Sequence, residues 1–94
     1  MYGITASEVK GMIGRINLID IRDNYLYNLG SIPTAKNVPI NFLLSNPDMY
    51  IDKNSTYYIY CSYGMQSAKV CNILNNKGYK VINLLGGYNE YSSK

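Results

Sequence analysis

The stretch from Tyr57 to Val70 constrains the fold most tightly. Tyr57, Tyr58, Ile59 and Tyr60 are aromatic or β-branched and suit a buried strand. Ala68, Val70, Cys71, Ile73 and Leu74, followed by Lys77 and Gly78, suit a helix closed by a glycine. Between them lies a short loop headed by Cys61. In a strand–loop–helix unit the loop amides converge on one spot, backed by the positive end of the helix. A cysteine there is expected to be held partly as thiolate, the nucleophilic form. The chain has no histidine, so backbone amides are the means of activation that the sequence offers.

The flanking segments predict an α/β fold. Thr5 and Glu8 have the spacing of a capping box, and Val9, Met12 and Ile13 follow on one helical face with Gly14 as a stop. Asn17–Arg22 is a nearly continuous apolar run, as in a parallel strand covered on both faces. Asp23 and Asn24 are placed to cap a brief helix through Leu29, ended by Gly30. Ser31–Thr34 reads as a turn, and Ala35–Val38 as a short strand stopped by Pro39. Asn41 is the expected cap of a helix carrying Phe42, Leu43 and Leu44, ended at Pro47. Asp52–Ser55 is a polar turn, Lys80–Leu84 a further strand, Gly86–Gly87 a tight turn, and Tyr88–Tyr91 a last helical turn. Strands and helices alternating in this way predict a small, mostly parallel sheet flanked by helices. Ligands of such sheets bind beyond the carboxyl ends of the strands, where Cys61 falls.

With 94 residues, the expectation is one domain over residues 1–94. The nine basic residues are scattered singly, so the net charge of +3 makes no nucleic-acid footprint. No apolar run reaches the ~18 residues of a membrane helix, and Met1–Thr5 shows no signal-peptide pattern. Two cysteines make no disulfide framework, so a reducing cytoplasm is expected. They also leave too few soft ligands for a metal site, and no glycine motif implies an organic cofactor. Cys71, mid-helix beside Val70 and Leu74, reads as core. The 11 tyrosines read as filler of core edges and surface.

The order of motifs resembles the single-domain rhodanese-like (sulfurtransferase) family. Leu18–Asp23 resembles that family's D-x-R strand, and Gly30–Ala35 with Val38–Ile40 resembles its G-H-I-P-G-A…I-P segment. Cys61–Ser67 resembles the active loop C-x-x-G-x-R-S, and Leu84–Tyr88 the closing L-x-G-G element. The resemblance implies a rhodanese-like fold and transfer of sulfane sulfur through a persulfide on Cys61. The donor would be thiosulfate or a persulfide, and the acceptor a thiol or an acceptor protein. It also implies a binding cradle formed by Ser62, Tyr63, Gly64, Met65, Gln66 and Ser67, with Gly64 allowing the turn. Asp20 and Arg22 become possible supports of the site, and an ion pair between them is an equally good reading.

Three positions depart from the family pattern. Gln66 stands where the family usually has arginine, so a fixed cation beside the sulfur is missing and dianionic thiosulfate should bind less well. Ser62 and Tyr63 add no basic side chain, and Ser31 replaces a usual histidine, a change expected to touch packing rather than chemistry. A catalytically weak or inactive binding or regulatory module with the same fold is therefore the alternative reading. A thiol phosphatase or arsenate-reductase-like activity is disfavoured, because such loops are one residue longer and end in arginine where this chain has Ser67.

Overall fold

The computed structural model describes residues 3–93. Among them, five short strands form one sheet: β1 (Gly3–Ile4), β2 (Asn17–Asp20), β3 (Lys36–Asn37), β4 (Thr56–Tyr60) and β5 (Lys80–Leu84). Their order is β1-β5-β4-β2-β3, and every pairing is parallel. Helices α1 (Ala6–Lys10), α2 (Asn24–Leu29), α3 (Ile40–Ser45), α4 (Met65–Asn76) and α5 (Gly87–Ser92) connect or follow them, with a 3-10 turn at Pro47–Met49. Met1 and Tyr2, part of the N-terminal run considered above, lie outside the described residues.

The strands' period of two divides the core between the two faces of the sheet. Ile19, Ile59, Cys61 and Val81 point to one face, where Leu43, Val70, Cys71 and Leu74 cover them. Leu18, Tyr60 and Leu84 point to the other, covered by Val9, Ile32 and Ala35 and by the half-buried Tyr88 and Tyr91. Burial on both faces is why the centres of β2 and β4 read as nearly continuous apolar runs rather than alternating ones. Tyr60 and Tyr79 are themselves buried, so the tyrosines serve the interior as well as its edges. No helix among the described residues is long and apolar enough to cross a membrane.

Several local expectations shift in the structure. The capping box forms, Thr5 Oγ1 accepting from Glu8 N–H at 3.1 Å and Glu8 Oε1 accepting from Thr5 N–H at 2.9 Å. Helix α1 nevertheless ends at Gly11, and Met12 and Ile13 reach the core from the following turn. Helix α3 starts two residues early, with Pro39 rather than Asn41 at its N-cap. Asp23 occupies the N-cap of α2 without a side-chain bond to it. Strand β1 had no counterpart in the sequence reading. It pairs Gly3 and Ile4 with Asn83 and Leu84 and closes the sheet on that side.

Candidate functional site

Cys61 follows β4 directly, on the face that α4 covers, and is 2% exposed. The chain then turns through Ser62 and Tyr63 to Gly64, the left-handed N-cap of α4 (φ 93°, ψ −10°). That conformation suits glycine, and space demands it as well: a Cβ on Gly64 would lie 2.9 Å from the Gly86 nitrogen. The turn brings the Gly64 N–H to 3.1 Å and the Ser67 N–H to 3.3 Å from Cys61 Sγ. The Ser67 hydroxyl lies 3.2 Å from the same sulfur. Burial pushes the Cys61 thiol up, but hydrogen bonds from the Ser67 hydroxyl and from the amides of Ser67 and Gly64 outweigh it. The thiol is left below its ordinary value, more readily ionised than an isolated cysteine.

The residues expected to form the cradle divide in two. Gly64 and Ser67 face inward onto the sulfur. Tyr63 (68% exposed) and Met65 (74%) stand out from the loop with the exposed Gln66, and Ser62 is half-buried. The N–H groups of Met65 and Gln66, in the first turn of α4, meet no protein acceptor among the described residues. The rim of the loop is thus uncharged and partly apolar, and its remaining polarity is that of backbone amides. A surface depression of about 630 Å³ between α1 and α5 is lined by Thr5, Lys10 and Glu90 among others and does not include Cys61.

One participant escaped the sequence reading. Asn83 on β5 donates from Nδ2 to the Gly64 carbonyl at 3.1 Å and accepts the Ser67 hydroxyl on Oδ1. The signal available was a polar residue on an otherwise apolar strand, at the position whose side chain shares a face with Val81. Asn83 is 5% exposed, and a buried amide persists only where its hydrogen bonds are satisfied.

Asp20 and Arg22 sit elsewhere. Their side chains form a buried, forked pair, with Arg22 Nη2 2.7 Å and Nε 3.1 Å from Asp20 Oδ2 and Nε 3.0 Å from Oδ1. Burial opposes the Arg22 charge, but hydrogen bonding and attraction from Asp20 more than restore it, so the guanidinium sits above its ordinary value. The guanidinium stacks over the rings of Tyr88 (4.3 Å) and Tyr60 (5.7 Å) and donates to the Gly30 carbonyl at 2.7 Å. Tyr60 belongs to the sheet face opposite Cys61. The pair therefore reaches the loop indirectly, through Tyr60, which precedes Cys61, and through Tyr88, whose N–H donates to the Cys61 carbonyl at 2.9 Å, beside Asn89 N–H on the Ser62 carbonyl. Cys71 is buried, as expected, and its thiol is pushed up to about 12 by burial and by Cys61.

The structure is thus a parallel α/β domain with a buried thiol, lowered by its hydrogen bonds, heading a loop of convergent amides. Comparison with known proteins identifies which such domain this is: residues 5–94 match the model of the rhodanese-like domain, and the chain belongs to that family. It is 33% identical over 70 residues to the putative sulfurtransferase YtwF of Bacillus subtilis, covering 74% of this chain and 67% of the relative. A tRNA sulfurtransferase of Thermoplasma acidophilum is 36% identical over 75 residues, a match to 79% of this chain and 15% of that protein. The structure superposes on SSP1007 of Staphylococcus saprophyticus with a TM-score of 0.91 at 34% identity, over 100% of this chain and 96% of the other. A rhodanese-like domain protein of Staphylococcus aureus gives 0.88 at 32% identity, over 98% and 92%.

Proposed function

We propose that the chain, working as one domain over residues 1–94, is a sulfurtransferase in which Cys61 carries sulfane sulfur. The single observation that carries this reading is the set of donors around Cys61 Sγ, which lowers the thiol despite its burial. The Cys61 thiolate attacks the outer sulfur of a donor R–S–S⁻. A Cys61–sulfur bond forms, the donor S–S bond breaks, and RS⁻ leaves with the electron pair; with thiosulfate the leaving group is sulfite. The product, Cys61–S–S⁻, holds its charge on the outer sulfur, where amides of the first turn of α4 that lack a protein acceptor, Met65 and Gln66, are the donors proposed to receive it. An acceptor thiolate then attacks that sulfur, and Cys61 is released as thiolate. No cofactor takes part in these steps.

Gln66 sets the donor preference. A neutral amide at the mouth binds one negative charge through dipoles but gives no compensation for a second. Persulfides of small thiols or proteins are therefore favoured over thiosulfate. Exposed Tyr63 and Met65 add apolar contact area suited to a bulky donor or an acceptor protein.

The test is sulfur transfer from thiosulfate and from a persulfide donor, with intact mass reading the sulfur bound to Cys61, on wild type, Cys61→Ser and Gln66→Arg. Wild type should take up one sulfur atom from the persulfide and Cys61→Ser none. Gln66→Arg should gain about tenfold in kcat/KM on thiosulfate, equivalent to about 1.4 kcal/mol. Absence of bound sulfur on wild-type Cys61 with both donors would overturn the proposal and favour a binding module that uses the same loop.

A further inference from the structure

The hydrogens around Cys61 can be counted, and the count leaves the Ser67 hydroxyl with one hydrogen and two claimants. The Gly64 carbonyl only accepts, so the Asn83 amide must turn Nδ2 toward it, which fixes Oδ1 toward Ser67. Ser67 Oγ therefore gives its hydrogen to Asn83 and offers a lone pair to Cys61 Sγ at 3.2 Å. That arrangement suits a protonated sulfur, which donates S–H to Oγ while accepting the two backbone N–H groups. It does not suit a thiolate, which would face an oxygen lone pair. When the sulfur loses its proton, the hydroxyl must rotate toward it and leave the buried Asn83 Oδ1 unpaired.

We infer that the Ser67 hydroxyl is a two-position hydrogen donor shared between Cys61 Sγ and Asn83 Oδ1, and that Asn83 is a positioning residue that holds this donor away from the sulfur while the sulfur is protonated. Asn83 thereby opposes formation of the thiolate and shortens the time the sulfur spends ionised without a donor to attack. The inference deepens the proposed role of Cys61 and rests on it for its significance, but the hydrogen count stands on geometry alone. Other ionisable groups do not compete for this position. On α4, Cys71 stays protonated, its thiol pushed up to about 12. On β2 and the segment after it, Asp20 and Arg22 are paired with each other on the opposite face of the sheet. On β4 and α5, Tyr60 and Tyr88 face that same side, and burial pushes the Tyr60 hydroxyl well above its ordinary value. The groove on the outer side of Asn83, about 480 Å³ and bounded by Ala68, Cys71, Asn72, Asn75 and Leu85, brings no charged side chain.

The test is the pH profile of Cys61 alkylation by iodoacetamide in the full chain, with the modified peptide read by mass so that Cys71 does not contribute. Removing the competing acceptor in Asn83→Val should move the midpoint down and speed alkylation at pH 7 about fivefold, the worth of one ordinary hydrogen bond. Asn83→Asp, which keeps the acceptor, should move it up. In a Ser67→Ala background, Asn83→Val should give no downward shift from the midpoint of Ser67→Ala, because the downward shift runs through the hydroxyl; losing the Nδ2 bond to the Gly64 carbonyl, whose residue also donates to the sulfur, could only move it up. An unchanged or raised midpoint in Asn83→Val, or the same downward shift without Ser67, overturns the inference. Should Asn83→Val fail to fold, Asn83→Ser, too short to reach Ser67, takes its place under the same conditions. Alkylation reads the thiol whether or not sulfur is transferred. A wild type inert in transfer that still shows the Asn83 shift would defeat only the proposed function, and active transfer without the shift would defeat only this inference.

Discussion

Gly14 and Gly64 hold nearly the same backbone angle, φ 88° and φ 93°, in opposite surroundings. A Cβ on Gly14 would meet nothing within 4 Å. On Gly64 it would come 2.9 Å from the Gly86 nitrogen, 3.3 Å from the Leu84 carbonyl oxygen and 3.4 Å from the Gly87 nitrogen, all backbone atoms that cannot rotate aside. Replacing each by alanine separates the penalty of conformation from that of contact. The left-handed backbone costs about 1–2 kcal/mol for a residue with a Cβ, offset by about 0.4–1 kcal/mol because alanine reduces the freedom of the unfolded chain. Gly14→Ala should therefore lose about 1 kcal/mol.

Gly64→Ala carries the same loss plus about 1–3 kcal/mol for forcing the loop away from the β5–α5 turn. It also disturbs the N–H that binds Cys61 Sγ at 3.1 Å. The total, about 2–4 kcal/mol, is a large part of the roughly 5–14 kcal/mol expected for a chain of this length. Urea unfolding followed by far-UV circular dichroism measures both. With a slope of about 1 kcal/mol/M, the midpoint should fall by about 1 M for Gly14→Ala and by about 2–4 M for Gly64→Ala. The Cys61 thiol should rise only in Gly64→Ala. Equal midpoint shifts with unchanged slopes would refute the reasoning, since they would mean that the close approach to Gly86 carries no energy.

Two further expectations follow from buried or strained groups. Cys71 has its thiol raised from 9.0 to about 12, so the folded state keeps a proton that the unfolded chain releases first. Its contribution is fully present below pH 9 and is lost as pH rises toward 12, a difference of about 4 kcal/mol at most. Wild type should therefore lose more stability than Cys71→Ala between pH 9 and 11 in urea titrations, and parallel losses would contradict the assignment. Thr34 is a β-branched residue at φ 74°, exposed in the turn before β3. Thr34→Gly should relieve more strain than the glycine entropy it introduces, adding about 0.5–1 kcal/mol and about 3–6 °C to Tm. A fall in Tm would mean that the threonine side chain makes a compensating contact.

Features whose cause is local were legible in the sequence. The Thr5–Glu8 capping box, the apolar runs of β2 and β4 and the glycine at the head of α4 each express their physics within a few residues. Features that depend on distant partners were not. Strand β1 is two residues long, too short for any periodicity, and exists because β5, some 80 positions away, supplies its pairing edge. Met12 and Ile13 keep helical spacing after Val9 because they pack on the same core, and that spacing extended the expected helix beyond the Gly11 cap. Asp20 and Arg22 lie close to the Cys61 loop in the sheet yet on its other face, an outcome decided by parity: Tyr60 turns one way and Cys61 the other. Asn83 required knowing both that β5 neighbours β4 and that its inward side chain meets the first turn of α4.

The neutral Gln66 and the buried Asn83 bear on the same electrostatic question. A unit charge about 5 Å from the sulfur would contribute about 3 kcal/mol at an effective dielectric constant near 20. The net charge of +3 cannot replace it, because exposed charges beyond about 8 Å are screened at physiological salt. What remains at Cys61 is a set of dipoles: two backbone N–H groups held by the turn at Gly64, and one hydroxyl whose hydrogen Asn83 also holds. Dipoles at contact stabilise a single negative charge well but decay faster with distance than a full charge does, so they act on the sulfur they touch and weakly on the rest of the donor. Under the proposed transfer, the loop therefore recognises the sulfur and leaves the choice of donor to the rim. There Tyr63, Met65 and Gln66 present shape and apolar surface rather than charge.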